Sequence, residues 1–374
     1  MTHAYTPGLK VTENFLLRKR RILPLLGEVV VKVGDSVKSD QVVARTELPG
    51  NVKPVNAANF LGVAQEDIET TLIKKMGEPI EKGEAYAMHK TFFGLFKTVL
   101  KAEEPCVIES VSKITGHILL RGKPIPVEVS AYVDGEVLEV IPREGVVVET
   151  YCTFIQGIFG IGGERHGRIV MASTNNTMVL EDKHIKNEYK DCIIVGGSLV
   201  TAAALRKAIS VGVKGIIVGG FNDRDLRDFL GYDIGVAITG TEPISLSLLV
   251  TEGFGQIDMA SHTYELLKKY EGHLASINGA TQIRAGVIRP EVVIPTPKPA
   301  HSEKELARQV GSLDVGNLVR VIRPPYFGHL GTVTALPPEL RKLESESMAR
   351  VLEIKMDNGV VTIIPRANVE MIET

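Results

Sequence analysis

Tryptophan is absent from this sequence, and aromatic residues make up only 5% of it. A chain so short of large anchors, yet with 36 glycines, suggests short strands, tight turns and close backbone packing. Cysteine is scarce too: Cys106, Cys152 and Cys192 are widely spaced and form no CxxC pair. That excludes a disulfide framework and a cysteine-rich zinc or iron–sulfur site, and it suits a reducing compartment. Each thiol reads as a small buried hydrophobe. Neither sign of charge dominates, the net charge being -2, so no overall field draws the chain to nucleic acid or anionic lipid. No apolar run approaches the ~18 residues that a membrane span needs, and MTHAYTPGLKVTENF holds no apolar signal segment. The expectation is a cytoplasmic chain with no membrane partner.

At 374 residues the chain is too long for one typical core and predicts several domains. Hydrophobic residues at 44% and charged residues at 24% are ordinary globular composition and argue against disorder. Residues 1–150 read as β-rich. In ILPLLGEVVVKVGDSVKSDQVV (Ile22 to Val43), short β-branched runs broken by Gly34-Asp35 are strand–turn–strand chemistry. The pattern returns at Met76 to Ala87 and at Tyr132 to Val148. Between these, KTFFGLFKTVLKAEEP reads equally as strand or helix.

The segment VVVKVGDSVKSDQVVART, with its Val-x-x-Gly-Asp-x-Val and Gln41, resembles the hammerhead turn of barrel-sandwich hybrid domains, the fold of lipoyl and biotinyl carriers. It is similar to the N-terminal domain of the RnfC-type electron-transport proteins. The cysteine runs of those proteins are missing here, so electron transfer is not implied. Carrier chemistry would need a lysine at a hairpin tip; the nearest candidate is Lys90 in AMHKTFFG, which reads better as a surface lysine.

Residues 151–190 form a glycine-rich β connector. FIQGIFGIGGERHG (Phe154 to Gly167) has the glycine density of a phosphate-cradling loop, but no Walker lysine follows and RIVMAS reads as a strand. A packing corner is the simpler reading, with Glu164, Arg165 and His166 as its polar groups. Residues 191–294 predict an α/β domain. CIIVGG, KGIIVGG and GVAITG are buried-type strands. SLVTAAALRKAISVG is a helix capped by Ser198 and closed by Gly212, and a second helix starts near Asn222. Apolar runs separated by helices indicate a parallel sheet of right-handed βαβ units. This part resembles the DRTGG family of regulatory α/β domains through IIVGGSLVTAAALRKAISVGVKGIIVGG, without the signature itself; the resemblance implies small-molecule sensing.

PTPKPAHSEKE opens a linker over residues 295–310. Beyond it, in residues 311–374, VGNLVRVIRPPYFGHLGTVTAL resembles a KOW motif through Gly316, Val319, Val321, Ile322, Phe327, Gly328, Gly331 and Val333. The resemblance implies an SH3-like barrel. The fold class is thus multidomain α+β and α/β: a barrel-sandwich-hybrid-like N-terminal half, a parallel-sheet α/β middle and a C-terminal SH3-like KOW barrel.

Ligands of parallel sheets sit at the carboxyl ends of the strands. The candidates there are Gly196, Gly197, Ser198, Gly219, Gly220, Asn222, Thr239 and Glu242, with Glu252, Asn278, Gln282 and Arg284 further on. Glu242 and Glu252 read first as helix caps. The KOW surface offers Arg323, Tyr326, Phe327, His329 and Arg366, a cation beside aromatics suited to stacking on RNA. Residues 311–374 nevertheless carry seven basic against eight acidic side chains, and phosphate contacts supply most nucleic-acid affinity. The run Arg18-Lys19-Arg20-Arg21 reads as a solvated face. No metal spacing occurs, no cofactor is indicated, and no nucleophile, acid and base stand in a recognisable pattern. The sequence therefore favours a non-catalytic adaptor or scaffold that binds a protein partner. The alternatives are an RNA- or ribosome-associated KOW protein, and a nucleotide- or small-molecule-binding enzyme acting at the middle domain.

Overall fold

The computed structural model describes residues 9–91, 96–222, 224–225, 244–281, 288–298, 313, 315–321, 325–326, 329–342, 348–356 and 359–373. The chain is multidomain and strand-rich, with several sheets. Strand β1 (Leu9–Ile22) opens it. β2 (Glu28–Val29), β3 (Ser36–Val37) and β4 (Val42–Leu48) follow around the Gly34 turn, where φ is +86°. Only glycine takes such a φ at little cost.

The path then leaves this first unit. β5 (Val52–Asn56), helix α1 (Ala57–Leu61), β6 (Pro79–Ile80), β7 (Ala85–Thr91), β8 (Phe96–Lys101), β9 (Cys106–Ser112) and β10 (His117–Gly122) form an insert. One sheet runs β5-β10-β9-β6, and β7–β8 is a separate hairpin, so the ambiguous KTFFGLFKTVLKAEEP contributes a strand on each side of residues 92–95. The insert has its own core of Ile68, Ile80, Tyr86, Ile108 and Ile118. Its two ends meet where Gly50 lies against the Gly122 carbonyl, too close for any side chain at position 50.

The first unit resumes with β11 (Ile125–Ser130), β12 (Gly135–Ile141) and β13 (Gly145–Gln156). β11 pairs with β4 across the insert, and β13 pairs with both β1 and β12. Alternate residues Val31, Val37, Val43, Val137 and Val148 fill the space between.

The next part contains β14 (Phe159–Ile161), β15 (Glu164–Met171), β16 (Val179–Leu180), β17 (Cys192–Val195), β18 (Leu199–Val200) and helix α2 (Ala202–Val211). β19 (Gly215–Phe221), β20 (Ser247–Phe254), helix α3 (Ser261–Lys269), β21 (Leu274–Asn278) and β22 (Glu291–Pro295) complete it. β15, β17, β19 and β20 are parallel neighbours in that order. β14 pairs antiparallel with β20, β21 joins β15 to β22, and β22 pairs with the second half of β13. β13 runs into β14 through Gly157 and Ile158, whose N–H groups reach Pro290 O (2.8 Å) and Val250 O (2.9 Å). The circuit of paired strands therefore closes on itself, which removes sheet edges.

Position 151, the expected start of a connector, falls inside β13, and the glycine-rich stretch after it is part of this ring. Thr201 rather than Ser198 caps α2, its Oγ1 accepting from Ala204 N–H (3.2 Å), and Gly212 ends the helix at φ +87°. The helix begins later than its sequence suggests because Leu199–Val200 pair as a short strand first. Val195, Ile217 and Leu249 stand in register on one face, against Tyr264 and Leu267 of α3. Ile194, Ile216 and Leu248 stand on the other, under Ala204, Leu205 and Ala208 of α2. The expected strand GVAITG and most of the helix after Asn222 lie outside the described residues.

The last part is antiparallel: β23 (Leu318–Val321), β24 (Leu330–Ala335), β25 (Leu340–Lys342), β26 (Met348–Met356), β27 (Val361–Pro365) and β28 (Val369–Glu373). β23 lies between β24 and β28, and β26 pairs with β24, β25 and β27, around Val319, Val333, Leu352 and Ile354. It is docked onto the rest. Leu9 and Lys10 of β1 pair in parallel with Ile372 and Glu373 of β28, and Leu318 and Leu330 pack on the central core beside Leu9 and Val11. Among the described residues no helix is long and apolar enough to cross a membrane.

Candidate functional site

At the carboxyl ends of β17 and β19 the chain gathers five of the residues picked from the sequence, and then seals them. Gly196, Gly197, Ser198, Gly219 and Gly220 are buried together. Gly219 N–H donates to Gly197 O (2.8 Å), and Ser198 Oγ–H donates to Thr177 O (2.6 Å). A side chain at Gly197 would overlap Met178 O, one at Gly219 would overlap Ile257 O, and one at Gly220 would overlap Gly255 O. The glycines are there because the chain's own backbone passes over them. The space beside these glycines is filled by neighbouring loops. Asn222 is exposed beside them. Thr239, Glu242, Gln282 and Arg284 lie outside the described residues.

Glu252 is also occupied. It is 4% exposed, and its Oε1 accepts from Ala260 N–H (3.0 Å) at the start of α3, as the cap reading expected. Its Oε2 meets Arg320 Nη1, and the same Nη1 donates to Thr251 O (3.2 Å). Arg320 is 3% exposed. The pair joins β20 to β23, and two charges this far from water need partners such as these.

A second joint lies where β1 crosses the ring. Glu164, Asn278 and Glu291 stand in register on β15, β21 and β22. Arg21 holds Glu164 through two hydrogen bonds, Nη1 to Oε1 and Nη2 to Oε2, both 2.6 Å. Lys19 Nζ lies 2.7 Å from Glu291 Oε2. Both cations face the Tyr132 ring, at 5.3 Å for Arg21 and 5.8 Å for Lys19. Tyr132 is buried, with φ at +71°. Burial first, then the Glu291 and Glu164 carboxylates, push its phenol well above the ordinary value. Its hydroxyl makes no hydrogen bond of normal geometry. Burial and Glu291 likewise raise the neighbouring Cys152 thiol to about 12. With Arg18 on Glu149 (2.7 Å), three cations of the run Arg18-Lys19-Arg20-Arg21 are neutralised by carboxylates. The solvated-face reading is thereby corrected for Lys19 and Arg21.

The other residues picked at the connector and beyond it separate. Asn278 Oδ1 accepts from Ala280 N–H (3.0 Å). Arg165 turns inward, donating through Nη2 to Ile244 O, while its Nε is buried without a partner; burial lowers its pKa. His166 is exposed. In the last part, Arg323 and Phe327 lie outside the described residues. Tyr326 packs half-buried on the local core, and His329 N–H donates to Tyr326 O (3.2 Å). Arg366 spends Nε on Val351 O and Nη2 on Pro337 O, both 3.0 Å, so these donors face the protein. Lys90 is paired across the hairpin with Lys97. Among the described residues no three of His, Cys, Asp and Glu gather as a metal site.

Open concavities lie elsewhere. One, of about 380 Å³, enters the core of the insert, with Tyr86, Leu100, Cys106 and Leu120 as apolar floor. Burial, then Cys106 and Glu103, raise the Tyr86 phenol to about 12. A second, of about 470 Å³ and more polar, lies between the Gly34 turn and residues 295–298, with Lys38, Asp134, Glu136 and Lys298 around it. Sequence reasoning missed both, together with Tyr132, Arg320 and the carboxylate partners of Lys19 and Arg21, because each depends on contacts between distant segments. The one local hint was the alternation around Arg320, which places it on the same strand as Val319 and Val321. No protein-family model matches the chain, and no curated protein matches it in sequence.

Proposed function

We propose that this chain is a non-catalytic scaffold whose peripheral β units bind a protein partner. In this reading the insert and the unit that carries it are barrel-sandwich-hybrid-like, the ring is an α/β domain, and the last part is an SH3-like KOW barrel. The short strands turning at glycine, the parallel run β15-β17-β19-β20 and the antiparallel pairing of β23 to β28 support those assignments.

One observation carries the functional reading: charged side chains that a reaction would need are spent on fastening the units together. Glu252 holds Arg320, Glu164 holds Arg21, and Glu291 holds Lys19. Reactive groups need access and freedom to exchange partners; Glu252 and Arg320 are buried, and Glu164 and Glu291 are already held by cations. Accessible concavities lie on the insert and between the Gly34 turn and residues 295–298. The RNA-binding alternative has less support, since Arg366 points inward and the basic run is largely neutralised.

Native co-purification, with a high-salt wash and nuclease treatment, tests the proposal. A stoichiometric protein partner that survives both is expected. Association abolished by nuclease would favour the RNA alternative, and a chain that stays alone under all conditions would sink the scaffold reading.

A further inference from the structure

The hairpin of β7 and β8 sets like charge against like charge. Its base belongs to the core of the insert through Tyr86, Ala87, Leu100 and Ala102. Beyond Ala87 and Leu100 the two strands pair only with each other among the described residues. There Met88 stands opposite Val99, and Lys90 opposite Lys97. Opposite residues of an antiparallel pair share a face, so two ammonium groups become neighbours, which opposes the pairing of the strands. Both lysines are exposed, as is Lys101 further along β8. Among the described residues none of the three has a carboxylate partner. Other cations of the insert do: Lys53 is held by Glu103, Lys74 by Glu78 and Glu84, Lys113 by Glu69, and Arg121 by Glu109.

Charge is also graded along the hairpin. From Ala85 to Ala102 the sequence holds no acidic residue, whereas Glu81 and Glu84 precede it and Glu103 and Glu104 follow. The base is therefore acidic and the end away from the core cationic. Phe96 adjoins Lys97 at that end and is 66% exposed. In the sequence the strands are linked by Phe92 to Leu95, four residues without charge. Lysines that only guard a strand edge against wrong pairing need no exposed phenylalanine beside them.

The combination fits a surface that offers anions above an apolar layer. Lysine stems lie along such a boundary with their ammonium groups in water, and an aromatic ring sits at headgroup depth. An acidic peptide matches the charge alone. Three cations on one hairpin neutralise few phosphates, and nucleic-acid affinity grows with each one neutralised. The net charge of -2 gives the chain no long-range pull toward a membrane. Close to the surface, within a Debye length of ~10 Å, the local sign decides.

We propose that the far end of the β7–β8 hairpin docks on an anionic lipid surface, with Lys90, Lys97 and Lys101 against the headgroups and Phe96 entering the interface. The contact needs no membrane-spanning segment, and it is separate from the protein partner of the scaffold reading.

Sedimentation of the full chain with phosphatidylcholine vesicles, prepared with and without phosphatidylserine, tests the contact. Binding to the phosphatidylserine vesicles alone, weakening as salt is raised, is expected. Lys90→Gln combined with Lys97→Gln should weaken partitioning about 25-fold, the equivalent of ~1 kcal/mol per lysine. Phe96→Ser should weaken it about tenfold. These side chains are exposed, so neither variant should lower the unfolding midpoint. No binding to either vesicle, equal binding to both, or phosphatidylserine binding that survives either variant would each overturn the proposal. Capture of poly-glutamate or single-stranded RNA in place of vesicles would overturn it too, assigning the lysines to a protein or nucleic-acid partner. A chain that binds these vesicles but no protein would leave this contact standing and fail the scaffold reading alone.

Discussion

Replacing Glu252 by glutamine removes the charge that neutralises Arg320 and leaves a guanidinium buried at 3% exposure. Breaking one side of such a pair costs about 3–5 kcal/mol, and urea unfolding of Glu252→Gln should show a loss of that order. The double variant Glu252→Leu, Arg320→Met should recover much of it, since an apolar pair of similar volume has no charge to desolvate. A loss below about 1 kcal/mol for the single change, the scale of an exposed ion pair, would mean that the pair is not a joint. At this scale the sequence was half legible. Glu252 stood out as a cap candidate, and it does bind Ala260 N–H. Its cationic partner lies 68 residues away, and nothing local in the chain announces such a pairing. Likewise Gly197 and Gly219 were recognisable as positions that need glycine; whether a ligand or the protein's own backbone lay against them depended on loops near 178 and 257 that no local pattern locates.

Between elements, β1 and α3 are tied at Glu13, which takes a 2.9 Å hydrogen bond from the Tyr270 hydroxyl and an ion pair from Lys269 at 2.5 Å. The Lys269 hydrogen bond chiefly holds the Glu13 carboxyl below its ordinary value of 4.5. A carboxyl with a depressed folded-state pKa adds stability that is complete above its unfolded value and disappears as pH falls through the folded one. Wild type should therefore exceed Glu13→Gln in melting temperature at neutral pH, with the gap closing below pH 4.5. The effect is small because the site is partly open to water. A gap that is constant down to the acid limit would show that the ion pair contributes nothing. The legible elements were those with strong local signals: β17 and β19 as continuous apolar runs, and α2 with Gly212 at its end. β1 was not read at all. LKVTENFLLRKRRI lacks clean alternation because the strand is covered on different sides along its length and is broken at Asn14, where φ is +55° and the register shifts.

For the whole molecule, the proline-rich segment after β22 invited a picture of a tethered, independent C-terminal unit. The docking of β28 on β1, and of Leu318 and Leu330 on the central core, gives a different expectation. A chain ended at residue 298 keeps Glu252 buried without Arg320 and uncovers Leu9 and Val11. It should melt several degrees below the full chain in calorimetry, and the full chain should unfold without a separate early transition for residues 315–373. Equal melting temperatures for the two would establish an independent unit. Composition and strand chemistry made a strand-rich, multidomain chain legible; the closed ring and the insertion of one unit within another were not, because both are matters of which distant strands meet.

The position of β1 in this plan has a consequence for biosynthesis. It is synthesised well before its partners: Ile22 meets Gly145 only about 120 residues later, some 6–25 s at translation speeds of about 5–20 residues per second. Its contact with β28 must await the synthesis of residues 372 and 373, later still. Meanwhile a long unpartnered strand is exposed to every other nascent chain nearby, the setting in which flanking charges act as gatekeepers. The four consecutive cations Arg18 to Arg21 are placed to keep the newborn strand apart from its neighbours, and three of them, Arg18, Lys19 and Arg21, then lock it down once their carboxylates are in place.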